Sequence, residues 1–142
     1  MLTAQELKTR LLRAGHEVYR ARGVVVTMAD RPRENLIMDS GVSVTIAESG
    51  YTLRFTTRAE RALFPGEPDD AMWNRARQVA KASVDRGFAE ALVTVRAIMD
   101  PGDETHVLDT WYEVAFEREV PDEDQLLEEV SFAMKLEKSA VR

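Results

Sequence analysis

Hydrophobic and polar positions change period several times along this chain, and each change marks an element. Leu7, Leu11, Ala14 and Val18 recur at helical spacing, with Lys8, Arg10, Arg13 and Glu17 outside the stripe. Thr3-Ala4-Gln5-Glu6 stands before them as a capping box, the Thr hydroxyl accepting from the third helical N–H while Glu6 reaches back. A helix over residues 3–19 follows, ending between Tyr19 and Gly23. From Gly23 the period shortens: Val24-Val25-Val26-Thr27-Met28 is a β-branched run, Ala29 to Arg33 breaks it, and Leu36-Ile37-Met38 resumes it before the turn Asp39-Ser40-Gly41. Val42, Val44 and Ile46 then alternate with polar or small residues, and after Ser49-Gly50 so do Tyr51, Leu53 and Phe55. That predicts a hairpin with one buried and one wet face.

Residues 58–68 read as an irregular link, since Pro65 and Pro68 forbid a regular element. Asp69 or Asp70 can cap a second helix whose stripe is Met72, Ala76, Val79, Ala80 and Ser83, with Trp73 at its edge and Gly87 as the left-handed residue that ends it. Residues 88–120 then make the longest feature of the chain, two strand-like runs joined at Asp100-Pro101-Gly102-Asp103-Glu104. Pro and Gly there are expected to supply a fixed φ and a positive φ. Leu108, Tyr112, Val114 and Phe116 fall on one face of the return run, with Val107, Trp111 and Ala115 opposite; Val93, Val95, Ala97 and Met99 likewise oppose Leu92 and Ile98. Both faces of this hairpin therefore carry apolar side chains. Either they are packed from both sides, or one face is an interface. Pro121-Asp122-Glu123-Asp124 opens a last helix, with Leu126, Leu127, Val130, Ala133 and Met134 as its apolar face.

The predicted fold is α+β: a mainly antiparallel sheet of five to six strands with three helices on one face, order α-β(β)-β-β-α-β-β-α, in a single domain spanning residues 1–142. At 44% hydrophobic, the chain can bury one core without staples. It has no Cys, which removes disulfides, thiolate metal sites and Cys nucleophiles. The opening residues lack a secretory pattern and no apolar run reaches the roughly 20 residues of a membrane span, so the expectation is a cytoplasmic protein without a membrane partner.

Charge narrows the choice of partner. The net charge is -6, but residues 1–35 carry seven Lys/Arg against four Asp/Glu, whereas residues 100–130 carry twelve Asp/Glu against one Arg. The acidic stretch repels phosphate backbones and attracts basic partners, which argues against nucleic acid despite Arg10, Arg13, Arg20, Arg22, Arg31 and Arg33; an ordinary solvated face has the same composition. His16 and His106 lie far apart without metal-ligand spacing, and no phosphate loop, Ser elbow or HExxH spacing occurs. No catalytic residue, metal ligand or cofactor is assigned.

The order of elements, over nearly the whole chain, resembles the bacterial YbjN family and the class I type III secretion chaperones. The matching stretches are residues 3–19, 42–57, 70–85, 89–119 and 122–138. The resemblance implies a non-enzymatic homodimer that holds a segment of another polypeptide on apolar surfaces. Trp111, Trp73, Leu63 and Phe64 are the expected contacts, and Glu123 and Asp124 favour a basic segment in the partner. The competing reading is a small-ligand or enzymatic pocket between the sheet and the Met72/Trp73 helix, with His106 and Asp109 near its rim; a purely structural subunit is a third.

Overall fold

The computed structural model describes residues 1–141 of the chain. In order they form α1 (Ala4–Arg13), β1 (Val18–Arg22), β2 (Val25–Arg33), β3 (Leu36–Ala47), β4 (Gly50–Glu60), a 3-10 turn (Arg61–Leu63), α2 (Asp69–Val79), α3 (Lys81–Val84), β5 (Ala89–Asp100), β6 (Asp103–Val120) and α4 (Glu123–Lys135). The strands make one six-stranded antiparallel sheet in the order β1-β2-β3-β4-β6-β5, so β1 and β5 are its edges. The α+β class agrees with the sequence pattern. Four helices stand among the described residues where three were expected, because the second breaks at Ala80 into α2 and α3. The chain divides into two compact units, one of residues 1–55 with 117–135, the other of residues 56–116 with those from Leu136 on.

In the first unit the predicted capping box is present: the Glu6 amide donates to Thr3 Oγ1 at 3.2 Å and the Thr3 amide to Glu6 Oε1 at 3.0 Å. The helix stops at Arg13, six residues short of the expected end. Gly15 adopts a φ of 92°, its amide donates to the Leu12 carbonyl, and the His16 amide donates to the Leu11 carbonyl. That pair of bonds is a Schellman stop, and it frees Val18 and Tyr19 to begin β1 instead of completing a helical stripe. Leu7 and Leu11 are buried, whereas Ala14 is exposed at the C-cap.

The expected break at residues 29–33 is also absent. β2 and β3 form one long hairpin, and Asp39-Ser40-Gly41 lies inside β3 as an irregularity rather than a turn. Gly41, at a φ of 80°, accommodates the bulge; its amide donates to Asp39 Oδ1 at 2.7 Å, and Ser40 Oγ donates to the Met28 carbonyl at 2.8 Å. The β3–β4 hairpin follows the predicted alternation, with Val44 opposite Leu53 and Ile46 opposite Tyr51. Val42, Val44, Tyr51, Leu53 and Phe55 are buried along it. Gly50, φ 149°, sits where a Cβ would lie 2.9 Å from the Val120 carbonyl oxygen, so only glycine lets the backbones approach this closely.

α4 caps on Asp122, whose carboxylate accepts from the Gln125 amide at 2.8 Å. Its inner face holds Leu126, Val130 and Ala133 and, among them, the buried Glu129, which pairs with Arg118 at 2.7 Å. Two further links tie the unit together: Tyr51 donates to Glu123 Oε1 at 2.7 Å, and His16 Nε2 meets Ser131 Oγ at 3.1 Å.

In the second unit β4 runs on to Glu60, shortening the expected irregular link, and the 3-10 turn follows directly. A parallel bridge joins Arg58 to Ser139, with Arg58 donating to the Lys138 carbonyl and accepting from Ala140, both at 2.8 Å. Thr57 is fully buried and donates to the Ala76 carbonyl of α2 at 2.7 Å. Gly87, φ 92°, closes α3 as expected, the Phe88 amide reaching the Ser83 carbonyl. The hairpin turn differs from expectation at Gly102, which lacks a positive φ. Asp100 Oδ1 accepts from its amide at 2.8 Å, and this side-chain bond shapes the turn.

Arg118→Met breaks the ion pair to the buried Glu129 and should cost about 3–5 kcal/mol of unfolding free energy in urea titration. The His16 ring is held below the ordinary histidine range, first by burial and then by the charge of Lys135. Its neutral form is favoured in the fold. The unfolded chain therefore takes up this proton at higher pH, and the contribution is full above about pH 6.5 and declines as pH falls through the folded value. The loss, less than about 1 kcal/mol for a ring that is only partly buried, should flatten in His16→Gln when urea midpoints are compared between neutral and mildly acidic buffer.

Candidate functional site

β5 is an edge strand made mostly of β-branched and small apolar residues, and the sheet leaves it bare. Leu92 (53% exposed), Val93 (42%) and Val95 (54%) follow one another along it, and Met99 lies further on. On β6, the adjacent Val107 and Leu108 are as open. Neighbouring residues on a strand point to opposite faces, so exposure at both Leu92 and Val93, and at both Val107 and Leu108, means that neither face of this part of the hairpin is covered. Further along β6 the situation reverses: Val114, Ala115 and Phe116 are all buried. Packing from both sides thus holds for the later part of β6, while β5 and the start of β6 are open on both faces.

At the junction of the halves lies Trp111, half-buried. The Arg58 guanidinium stands 4.1 Å from its ring centroid and that of Arg96 5.1 Å, while Arg96 also pairs with Glu113 at 3.0 Å. Its Nε1 donates to Asp109 Oδ2 at 3.1 Å. Asp109 Oδ1 accepts the Ala62 amide at 2.9 Å and the Thr110 amide at 2.8 Å, so this carboxylate ties the start of the 61–68 loop to β6. These three hydrogen bonds are all structural; His106 is an exposed residue of β6.

Trp73 makes an edge-on contact with Tyr112, ring centroids 5.0 Å apart. The Tyr112 hydroxyl lies 2.7 Å from Asp69 Oδ1 and 2.8 Å from Arg61 Nη2. The same guanidinium donates to the Phe64 and Glu67 carbonyls, which closes the loop around one cation. Leu63 is exposed on this loop, whereas Phe64 is buried with Arg75 4.1 Å above its ring. Arg75 in turn binds Glu67 and holds that carboxyl below its usual range. Trp73, Trp111, Leu63 and Phe64 therefore all belong to the second unit. Leu63 presents its side chain, the tryptophans are partly covered, and Phe64 is enclosed.

Glu123 and Asp124 belong to the first unit. Glu123 accepts from Tyr51, and that hydrogen bond holds its carboxyl below the usual carboxylate pKa range. The Asp124 side chain is almost wholly exposed, 3.6 Å from Arg10. The exposed apolar residues of the hairpin, Leu92, Val93, Val95, Val107 and Leu108, were visible in the sequence as apolar on both faces. The strand order that exposes them was not. Two modest concavities lie elsewhere: one of about 240 Å³ beside Gly50, Tyr51 and Val120, and one of about 330 Å³ beside Arg75, Val79 and Val141. No helix among the described residues is long and apolar enough to cross a membrane, and no group of three or more His, Asp or Glu among them is arranged to hold a metal. Comparison with protein-family models, with curated proteins and with solved structures finds no match.

Asp109→Ala should release Trp111 and the loop amide together. In a Trp73→Phe background, the Trp111 emission should shift to the red and unfolding free energy should drop by about 1.5–3 kcal/mol, the range for hydrogen bonds to a charged acceptor.

Proposed function

We propose that this protein is a non-enzymatic protein-binding module of the chaperone or adaptor kind, which holds an apolar segment of another polypeptide on the bare faces of the β5–β6 hairpin. The observation that carries the reading is the run of large apolar side chains exposed on both faces of β5 and of the first half of β6. Contiguous apolar surface of this kind is kept in soluble chains where another surface covers it. Leu92, Val93, Val95 and Leu108 supply the anchors, with Leu63 and the tryptophan edges as secondary contacts. The acids at the turn of the hairpin itself, Asp100, Asp103 and Glu104, favour a partner segment with basic residues between its apolar ones. Likeness to the YbjN and secretion-chaperone pattern of elements points the same way.

A reduced model client such as insulin, whose released chain aggregates, tests the reading directly. Stoichiometric amounts of the protein should slow the rise of light scattering, and Leu92→Asp/Leu108→Asp should abolish the effect. Both positions are exposed, so the double variant should unfold within about 1 kcal/mol of the parent. No effect of the parent, or equal protection by the variant, would remove the proposal.

A further inference from the structure

We infer that the free edge of β5 pairs with β5 of a second copy of this chain, antiparallel, about a twofold axis midway between the two Val93 residues. This concerns the edge, not the faces, and stands whether or not those faces hold a client. β5 ends the sheet, so one side of its backbone is unpaired by its strand neighbours. Natural edges are blunted by Pro, Lys or inward charges. Residues 89–100 contain neither Pro nor Lys, and their interior charges are Glu90 and Arg96.

Those two charges select the register. A twofold axis perpendicular to the sheet keeps each side chain on its own face, so it must lie midway between the two copies of one residue, which then face each other. Centred on Val93, the pairing sets Glu90 opposite Arg96 of the second copy, twice, and aligns Ala89 with Ala97, Ala91 with Val95 and Val93 with itself. Centred on Thr94, it would set Glu90 against Ile98 and Arg96 against Leu92. Centred on Val95, it would set Glu90 against Asp100, a like-charge pair at each end. Directly opposed side chains lie about 4.5–5.5 Å apart between Cβ atoms, so the sign of each charge pair matters.

Charges already present extend the complementarity. Glu90 is bound by Arg77 through two hydrogen bonds of 2.9 Å, and Arg96 by Glu113 at 3.0 Å. In the Val93 register these become a row of alternating sign, Arg77, Glu90, Arg96 of the second copy and its Glu113. Glu90 and Arg96 keep roughly a third to a half of their side-chain surface open, which leaves room for the second contact.

The test uses full-length chains in sedimentation equilibrium. The parent should dimerise; Glu90→Arg alone and Arg96→Glu alone should each weaken the dimer by about tenfold or more, because each turns both inter-copy pairs into like charges. Mixing the two variants should restore association as a heterodimer, since both inter-copy pairs then carry opposite signs. The chain has no native Cys, so a single introduced thiol reports position. Val93→Cys should form a covalent dimer under mild oxidation, Val95→Cys should not, and a mixture of Ala91→Cys with Val95→Cys should. A parent that stays monomeric at all concentrations overturns the inference. So does a dimer indifferent to the charge variants, or one linked through Val95→Cys alone.

Discussion

Every second side chain of β4, from Tyr51 through Leu53, Phe55 and Thr57 to Ala59, is withdrawn from water, and the two-residue period of a strand allows none of them to be moved singly. A slip of one position would turn five buried groups outward at once. This row fixes the registers around it. Val44 faces Leu53, Tyr51 reaches the start of α4 through its hydroxyl, and Thr57 satisfies its own hydroxyl against the Ala76 carbonyl. The polar atoms in the row are acceptable because each has a partner. An unpaired hydroxyl in either place would cost on the order of 1–3 kcal/mol.

β5 is the counterpart of that row. It has the β-branched composition of a buried strand and the exposure of a loop. The two strands show how little composition decides once strand order is set: β4 lies between β3 and β6, and β5 lies at the rim. Charged side chains do part of the work of keeping such a rim soluble. Glu90 and Arg96 are each already neutralised within the chain, so the edge carries a pattern of charge without a strong net field.

Much of the fold was legible because it rests on local chemistry. The capping box at Thr3, the alternation of residues 42–55, the glycine stop at Gly87 and the acidic start of α4 each have one dominant physical meaning. Elsewhere two readings shared the same residues. Val18 extends the stripe of α1 as well as it opens a strand, and only Gly15 in the left-handed region decides between them. Ala80 and Ser83 continue the stripe of α2 across the break, which hid the fourth helix. Pro32 and Gly41 read as punctuation but lie inside strands, because register shifts in the β2–β3 pairing accommodate them. The candidate surface was half legible. Its two-sided apolar character could be counted along the chain, but its exposure depends on which strand ends the sheet. The roles of Arg58 and Arg96 on Trp111 left no mark in residue spacing.

The division of the chain into units has a consequence for synthesis on the ribosome. Residues 1–55 emerge before residues 117–135, which their unit also requires, among them Arg118 and its buried partner Glu129. The intervening segment, residues 56–116, needs the stretch after Leu136, where Ser139 and Ala140 lock against Arg58. Neither unit is a continuous piece of chain, so a nascent polypeptide halted anywhere in the β5–β6 hairpin holds two unfinished cores at once. Its apolar strands are then shielded only by whatever waits at the tunnel exit.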